Sequence, residues 1–134
     1  MPNKKIITEY GRLWPREVFD LIEDGKLMMN SYEALQNLGV YILFRNDLPY
    51  YVGRATKTSL YKRLHDHSNK ATDKHFNFWN YFSFFVVPNK NHINEIEGIL
   101  IASMPTANRS VPLKVTSKIP KNITNNLKKI RQNK

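Results

Sequence analysis

The chain has 134 residues, with 21 Lys and Arg against 11 Asp and Glu for a formal charge of +10, and it contains no cysteine. That length suits a single domain with its own core, and the missing cysteines exclude disulfides, thiolate nucleophiles, iron–sulfur clusters and Cys-ligated zinc. No run approaches the roughly 18 apolar residues of a membrane span. Lys4 and Lys5 precede only Ile6 and Ile7 before Thr8 and Glu9, which does not read as a secretory signal. A cytoplasmic protein that avoids membranes is expected, in a compartment that keeps thiols reduced.

In chain order, Pro15 and the following "REVFDLIEDGKLMM" predict a helix, with Val18, Leu21 and Ile22 as its apolar stripe before Gly25. "SYEAL" (31–35) predicts a second short helix. "GVYILFR" (39–45), the turn residues "NDLP" and "YYVG" (50–53) predict a β-hairpin. A helix over 59–68 starts at Ser59. "NYFSFFVV" (80–87) predicts a third strand closed by Pro88, residues 92–104 a helix ended by Pro105, and "SVPLKV" (110–115) an edge strand. The sequence therefore predicts an α+β (mixed) fold, a small sheet carrying at least two helices. Three segments follow: an N-terminal helical extension over 1–38 packed on the core, a domain over 39–113, and a basic tail over 114–134.

Charge is uneven across these segments. Residues 1–38 carry five basic and six acidic groups, residues 39–113 nine and five, and residues 114–134 seven basic groups and no acid. Such asymmetry points to a polyanion, DNA with RNA not excluded, bound with strong salt dependence. A solvated tail that only confers solubility is the plainer reading.

Two helices place polar groups in apolar positions. Ile93, Ile96, Leu100, Ile101 and Met104 share a face with Glu97, whereas Glu95 points elsewhere. A carboxylate on a core face costs several kcal/mol unless neutralised, so Glu97 is either a boundary residue that reaches water or pairs with an arginine, or a metal ligand. On the 59–68 helix, Arg63 and His67 lie at i and i+4 beside Leu60 and Leu64. Arg63 could simply snorkel past Leu60, and a lone histidine is ordinarily a structural one. The four histidines lack zinc-site spacing. On the hairpin, Tyr41, Leu43 and Arg45 share one face, and Tyr51 is a direct or diagonal cross-strand neighbour of Tyr41. Gly39 and Gly53 bracket the hairpin and permit close approach.

Taken in order, "GVY" at 39–41, "YVG" at 51–53, "L..RL..H" at 60–67 and "E..LI...P..N" at 97–108 resemble the GIY-YIG nuclease family over roughly residues 39–110. The resemblance implies a three-stranded antiparallel sheet flanked by helices. It also implies a catalytic set of Tyr41, Tyr51, Arg63, His67, Glu97 and Asn108. Val40 and Val52 replace isoleucine conservatively, and Arg54 stands where a lysine is common.

A site with one carboxylate suits a single metal, Mg²⁺ or Mn²⁺, held by Glu97. Arg63 is expected to grip a phosphate oxygen. Tyr41 would be the general base, although a phenol of pKa about 10 is only roughly 0.1% ionised at pH 7; His67 could take or relay that proton. Tyr51 would position water or phosphate, and Asn108 the neighbouring backbone or a phosphate. Arg54, Lys62, Lys70, Lys74, Arg109, Lys128, Lys129 and Arg131 are the expected phosphate contacts. The leading reading is a metal-dependent DNA endonuclease. The alternatives are a non-catalytic nucleic-acid-binding module that keeps the fold, and a structural protein whose polar groups only pack. A homodimer or a partner protein would supply specificity or a second cut.

Overall fold

The structure, a computed structural model, describes residues 5–108 and 119–132. Its centre is the hairpin formed by β4 (Gly39–Arg45) and β5 (Leu48–Ala55), turned at Asn46, whose φ is 59°. β6 (Tyr81–Val86) pairs antiparallel with the other side of β4. A further strand, β1 (Glu9–Pro15), pairs with β6, so among the described residues the sheet has four antiparallel strands in the order β1-β6-β4-β5.

That fourth strand corrects the three-stranded expectation. β1 has no clean alternation, because its pairing slips between Gly11 and Trp14 and Leu13 adopts a φ of 54°. Gly11 is required there: a Cβ would run into the Phe84 ring.

The helix expected after Pro15 is also corrected. Residues Arg16–Asp20 form only a 3-10 turn, followed by a miniature hairpin of β2 (Ile22–Glu23) and β3 (Lys26–Leu27). Asp24 and Gly25 make its turn with φ of 53° and 76°, the conformation for which Asp-Gly is selected. Two more 3-10 turns follow: Met28–Ser31 at the end of the first expected helix, and Glu33–Gln36 where the second short helix was expected.

The other elements agree closely with expectation. α1 (Leu60–Asn69) starts at Ser59, whose Oγ accepts the Lys62 N–H at 3.1 Å. α2 (Lys90–Ser103) starts at Asn89, whose Oδ1 accepts the Asn91 N–H at 2.9 Å. In the tail, where no element was expected, Lys121–Gln132 form a helix, α3, with Ile123, Leu127 and Ile130 exposed. The expected strand at 110–115 lies outside the described residues. Among the described residues no helix is long and apolar enough to cross a membrane.

Both sheet faces are covered, which explains why β4 is apolar on both. Tyr41, Leu43, Phe82 and Phe84 pack against Leu60 and Leu64 of α1 and against Phe19 and Leu35 of the N-terminal segment. Val40, Ile42 and Val52 pack against Ile93 and Ile101 of α2. Each such side chain contributes about 1.5–3 kcal/mol by leaving water. Among the described residues β5 is the outer strand of the sheet, and the two helices flank its edge.

Candidate active site

At that edge a cleft of about 640 Å³ opens, and its lining includes Tyr51, Arg54, Arg63, His75, Glu97 and Asn108. β5 supplies the tyrosine and Arg54, α1 the other arginine, α2 the carboxylate, and the loop after α1 the histidine. Of the six expected catalytic residues, Tyr51, Arg63, Glu97 and Asn108 face this cleft. Tyr41 and His67 lie buried beside it.

Register explains where the two phenols go. Tyr41 pairs with Gly53, and Leu43 with Tyr51, so the tyrosines are diagonal neighbours on one face. Gly53 has to be glycine: a Cβ would overlap the Tyr41 Cζ and hydroxyl. The missing side chain makes the space in which the Tyr41 hydroxyl sits.

That hydroxyl meets His67 Nε2 at 2.8 Å, and His67 Nδ1 meets Asp73 Oδ2 at 2.9 Å. A carboxylate only accepts, so Nδ1 carries the hydrogen and Nε2 receives the Tyr41 O–H. Burial pushes the Tyr41 pKa well above the usual phenol value, although the Arg63 guanidinium opposes it. Burial likewise pulls His67 below the ordinary imidazole value, against the opposing pull of Asp73. His67 is therefore neutral at pH 7 and able to accept a proton. Burial would raise the Asp73 carboxyl, yet hydrogen bonds from His67 and from the His75 backbone N–H (2.8 Å) outweigh it and hold Asp73 ionised.

Asp73 and His75 were not among the expected site residues, and the structure adds both. His75 is 5% exposed, and burial followed by the neighbouring His67 lowers its pKa to about 4. The Tyr50 hydroxyl meets His75 Nδ1 at 2.8 Å, while Nε2 has no hydrogen-bond partner among the described residues. Both Tyr50 and Tyr51 touch this imidazole, at centroid distances of 5.4 and 4.0 Å. Adjacent strand residues normally point to opposite faces. Here the pairing slips, with Leu43 opposite Tyr51 and Phe44 opposite Pro49. Tyr50 is the extra residue of a bulge, which re-aims its ring.

Glu97 is 8% exposed, and among the described residues its ion-pair partner is Arg54 at 3.6 Å. Arg54 also bonds Asn94, one turn earlier on α2. Burial raises the Glu97 pKa, and Arg54 only partly offsets that. The sequence left open a boundary Glu that reaches water or pairs with an arginine, or a metal ligand. The arginine is present, but at this distance and nearly half exposed it leaves the carboxylate undercompensated. Among the described residues no three His, Cys, Asp or Glu side chains converge on a metal position. A lone hard oxygen donor at an open cleft fits Mg²⁺ or Mn²⁺ that keeps most of its water, and it does not fit a zinc cage.

Asn108 acts on the backbone. Its Oδ1 accepts from Val52 N–H at 2.9 Å and its Nδ2 donates to Val52 O at 2.7 Å, so the amide closes the edge of β5 as another strand would. The Ala107 N–H adds a 2.7 Å bond to Tyr50 O.

The expected phosphate contacts divide. Arg54 and Lys74 line the cleft, joined by Lys57, which was not foreseen. Lys62 and Lys70 pair with Asp66 on α1 at 3.2 and 3.7 Å. Lys128, Lys129 and Arg131 are on α3, and Arg109 lies outside the described residues.

An anchor from the N-terminal segment holds the loop that carries Asp73 and His75. Arg16 donates to Phe76 O at 2.5 Å, Trp79 O at 3.0 Å and Ser68 O at 2.8 Å, and stacks on both the Phe76 and Trp79 rings at 4.7 Å. Three carbonyls and two rings use most of what a guanidinium can offer.

Comparison with curated proteins and with solved structures returned no match. Residues 37–104, half of the chain, match the family model of the GIY-YIG catalytic domain, and both signatures, Arg63, His67 and Glu97 fall within that span. The chain belongs to the GIY-YIG nuclease family.

Proposed function

We propose that this chain is a metal-dependent endonuclease that hydrolyses DNA phosphodiester bonds, with residues 39–113 as its nuclease domain. The observation that carries the reading is the union, in one cleft, of a buried undercompensated carboxylate, Glu97, with Arg63 and the cleft-lining Tyr51. A site for binding alone gains nothing from a desolvated carboxylate beside phosphates.

Arg63 grips a non-bridging phosphate oxygen through its planar fork. Arg54, Lys57 and Lys74 draw the strand into the cleft. When bound at Glu97, a divalent cation supplies stabilisation of the charge on the phosphate and the leaving oxygen. Tyr51, packed on His75, orients the phosphate.

Proton transfer runs through Tyr41. Burial makes a free-standing phenolate costly, so Tyr41 works as a relay. Its oxygen takes a proton from the attacking water while its own O–H proton passes to His67 Nε2. The resulting imidazolium is stabilised by Asp73 through Nδ1–H. Tyr41 is fully buried and does not line the cleft, so the relay requires the cleft-lining Tyr51 or Arg63 side chain to shift as the phosphate binds and admit the water to its hydroxyl. One site cuts one strand, and a double-strand break requires a second copy or a second visit.

Supercoiled plasmid with Mg²⁺ tests this. The expected result is conversion to nicked circles by the native protein and none by Glu97→Ala. DNA binding without cleavage, on plasmid, branched and single-stranded DNA alike, would instead identify a binding module.

A further inference from the structure

Beside the cleft lies a group of rings that the proposed chemistry does not use. Phe78 is 46% exposed, and its ring stacks on Tyr50 at 5.8 Å and 29°. Tyr50 in turn contacts the cleft-lining His75 and Tyr51. A single exposed phenylalanine on a surface ordinarily needs no explanation, but three features set this one apart.

The first is rigidity. Arg16 bonds the carbonyls of Phe76 and Trp79, which bracket Phe78, and the Phe78 N–H bonds His75 O at 3.1 Å. The loop presenting the ring is thus held on both sides by the core. The second is the strand bulge, which turns Tyr50 toward Phe78 and His75, with its hydroxyl fixed on His75 Nδ1. The third is charge. Lys74, four residues before Phe78, lines the cleft with Arg54, Lys57 and Arg63. Cations that track a phosphate backbone beside rigid, open aromatic faces are the recurring construction of single-strand recognition.

We infer that Phe78, backed by Tyr50, is a stacking platform for an unpaired nucleobase next to the scissile phosphate. The favoured substrate is DNA with a single-stranded or splayed segment at the cut, rather than continuous duplex. In an intact duplex both base faces are covered by neighbours, so the ring has nothing to receive. This rests on the nuclease reading for its substrate, but its test reads binding separately from cleavage.

The experiment uses the full chain and two DNAs of one sequence, a splayed-arm duplex and a fully paired one. 2-Aminopurine replaces the base at the junction, and binding is measured in Ca²⁺ with Glu97→Gln to prevent turnover. Quenching of the splayed probe on binding is expected, with none for the paired probe. A preference of about tenfold or more for the splayed DNA is also expected, the scale of one stacked base. Adding Phe78→Ala, or Phe78→Leu, which keeps an apolar side chain without a π-face, should abolish both the quenching and the preference; Phe78→Trp should retain them. Equal affinity for the two DNAs, or a preference that survives in Phe78→Ala and Phe78→Leu, overturns the platform. If quenching is seen and native protein cleaves no DNA with Mg²⁺, the nuclease reading fails and the platform stands.

Discussion

Tyr41 and His67 share a 2.8 Å hydrogen bond that solvent does not reach, with the tyrosine as donor and the imidazole held in one tautomer by the carboxylate behind it. The bond joins the first signature of the hairpin to the last turns of α1, and in the proposed mechanism it makes a poor acid one end of a proton path.

Tyr41→Phe should therefore lower the cleavage rate by about 100-fold or more, the usual scale of a lost acid–base group. The fold should survive with a loss of about 1–3 kcal/mol, since the buried His67 Nε2 loses its donor. Nicking rates beside urea denaturation check both. Near-native cleavage by Tyr41→Phe would remove the tyrosine from the mechanism.

The histidines set the pH behaviour. His67 and His75 both titrate below the free imidazole value in the folded state, His75 at about 4. The unfolded chain binds protons at higher pH than the native one, so this contribution to stability is present above about pH 6.5 and drains away as pH falls toward 4. Cleavage should lose its proton acceptor on the acidic side, with a limb below the ordinary histidine value. Asp73→Asn removes the group that raises the His67 pKa, so the limb should shift to lower pH and the plateau fall. A limb moving upward would contradict the Asp73–His67 arrangement.

Glu97→Gln separates function from stability. Burial raises the Glu97 pKa, so its charged form opposes folding at neutral pH. The neutral isostere should abolish cleavage while raising the melting temperature by about 1–3 °C. Arg54, already 46% exposed at its side chain, can remain solvated. A lower melting temperature in the variant would mean that the Arg54 pair, rather than a cation, accounts for the carboxylate.

Gly53→Ala should be costly out of proportion to one methyl group, because the added atom overlaps the Tyr41 ring terminus. A loss of about 3 kcal/mol or more, or a displaced Tyr41 with cleavage lost, is expected from denaturation and nicking assays. The same substitution at the solvent-facing Gly25 would report on turn strain instead, since its φ is 76° with open space around it.

Arg16 lies outside the span that matches the family, yet it anchors the loop bearing Asp73 and His75. Arg16→Lys keeps the charge but cannot serve three carbonyls in a fixed fork. It should lower cleavage by about tenfold and shift the acidic limb, a change that a purely global loss of stability would not cause. An unshifted pH profile would reduce Arg16 to a packing role.

Much of this architecture was legible because periodicity reports it. The run of β-formers at 39–45 before the turn residues, the three-and-four spacing around Glu97, and Ser59 before α1 each predict an element that the structure contains. Glu97 stood out because a carboxylate on an apolar stripe demands a reason. The segment 9–31 misled because a few apolar residues after Pro15 imitate a helical stripe, while the Asp24-Gly25 turn and the bulge in β1 set the backbone. Asp73 and His75 carried no signal, since loop residues have no period and gain their partners only when the chain folds. On α3 the charge of the tail masked Ile123, Leu127 and Ile130, whose spacing was there to be read.

The most direct measurement is single-turnover cleavage of a splayed-arm DNA by the native protein and by Glu97→Gln, at saturating Mg²⁺ and matched DNA occupancy. The account requires strand scission by the native protein and a drop of at least about 100-fold in the variant with binding retained. Equal rates for the two proteins, or no scission by the native protein with Mg²⁺ or Mn²⁺, would contradict it.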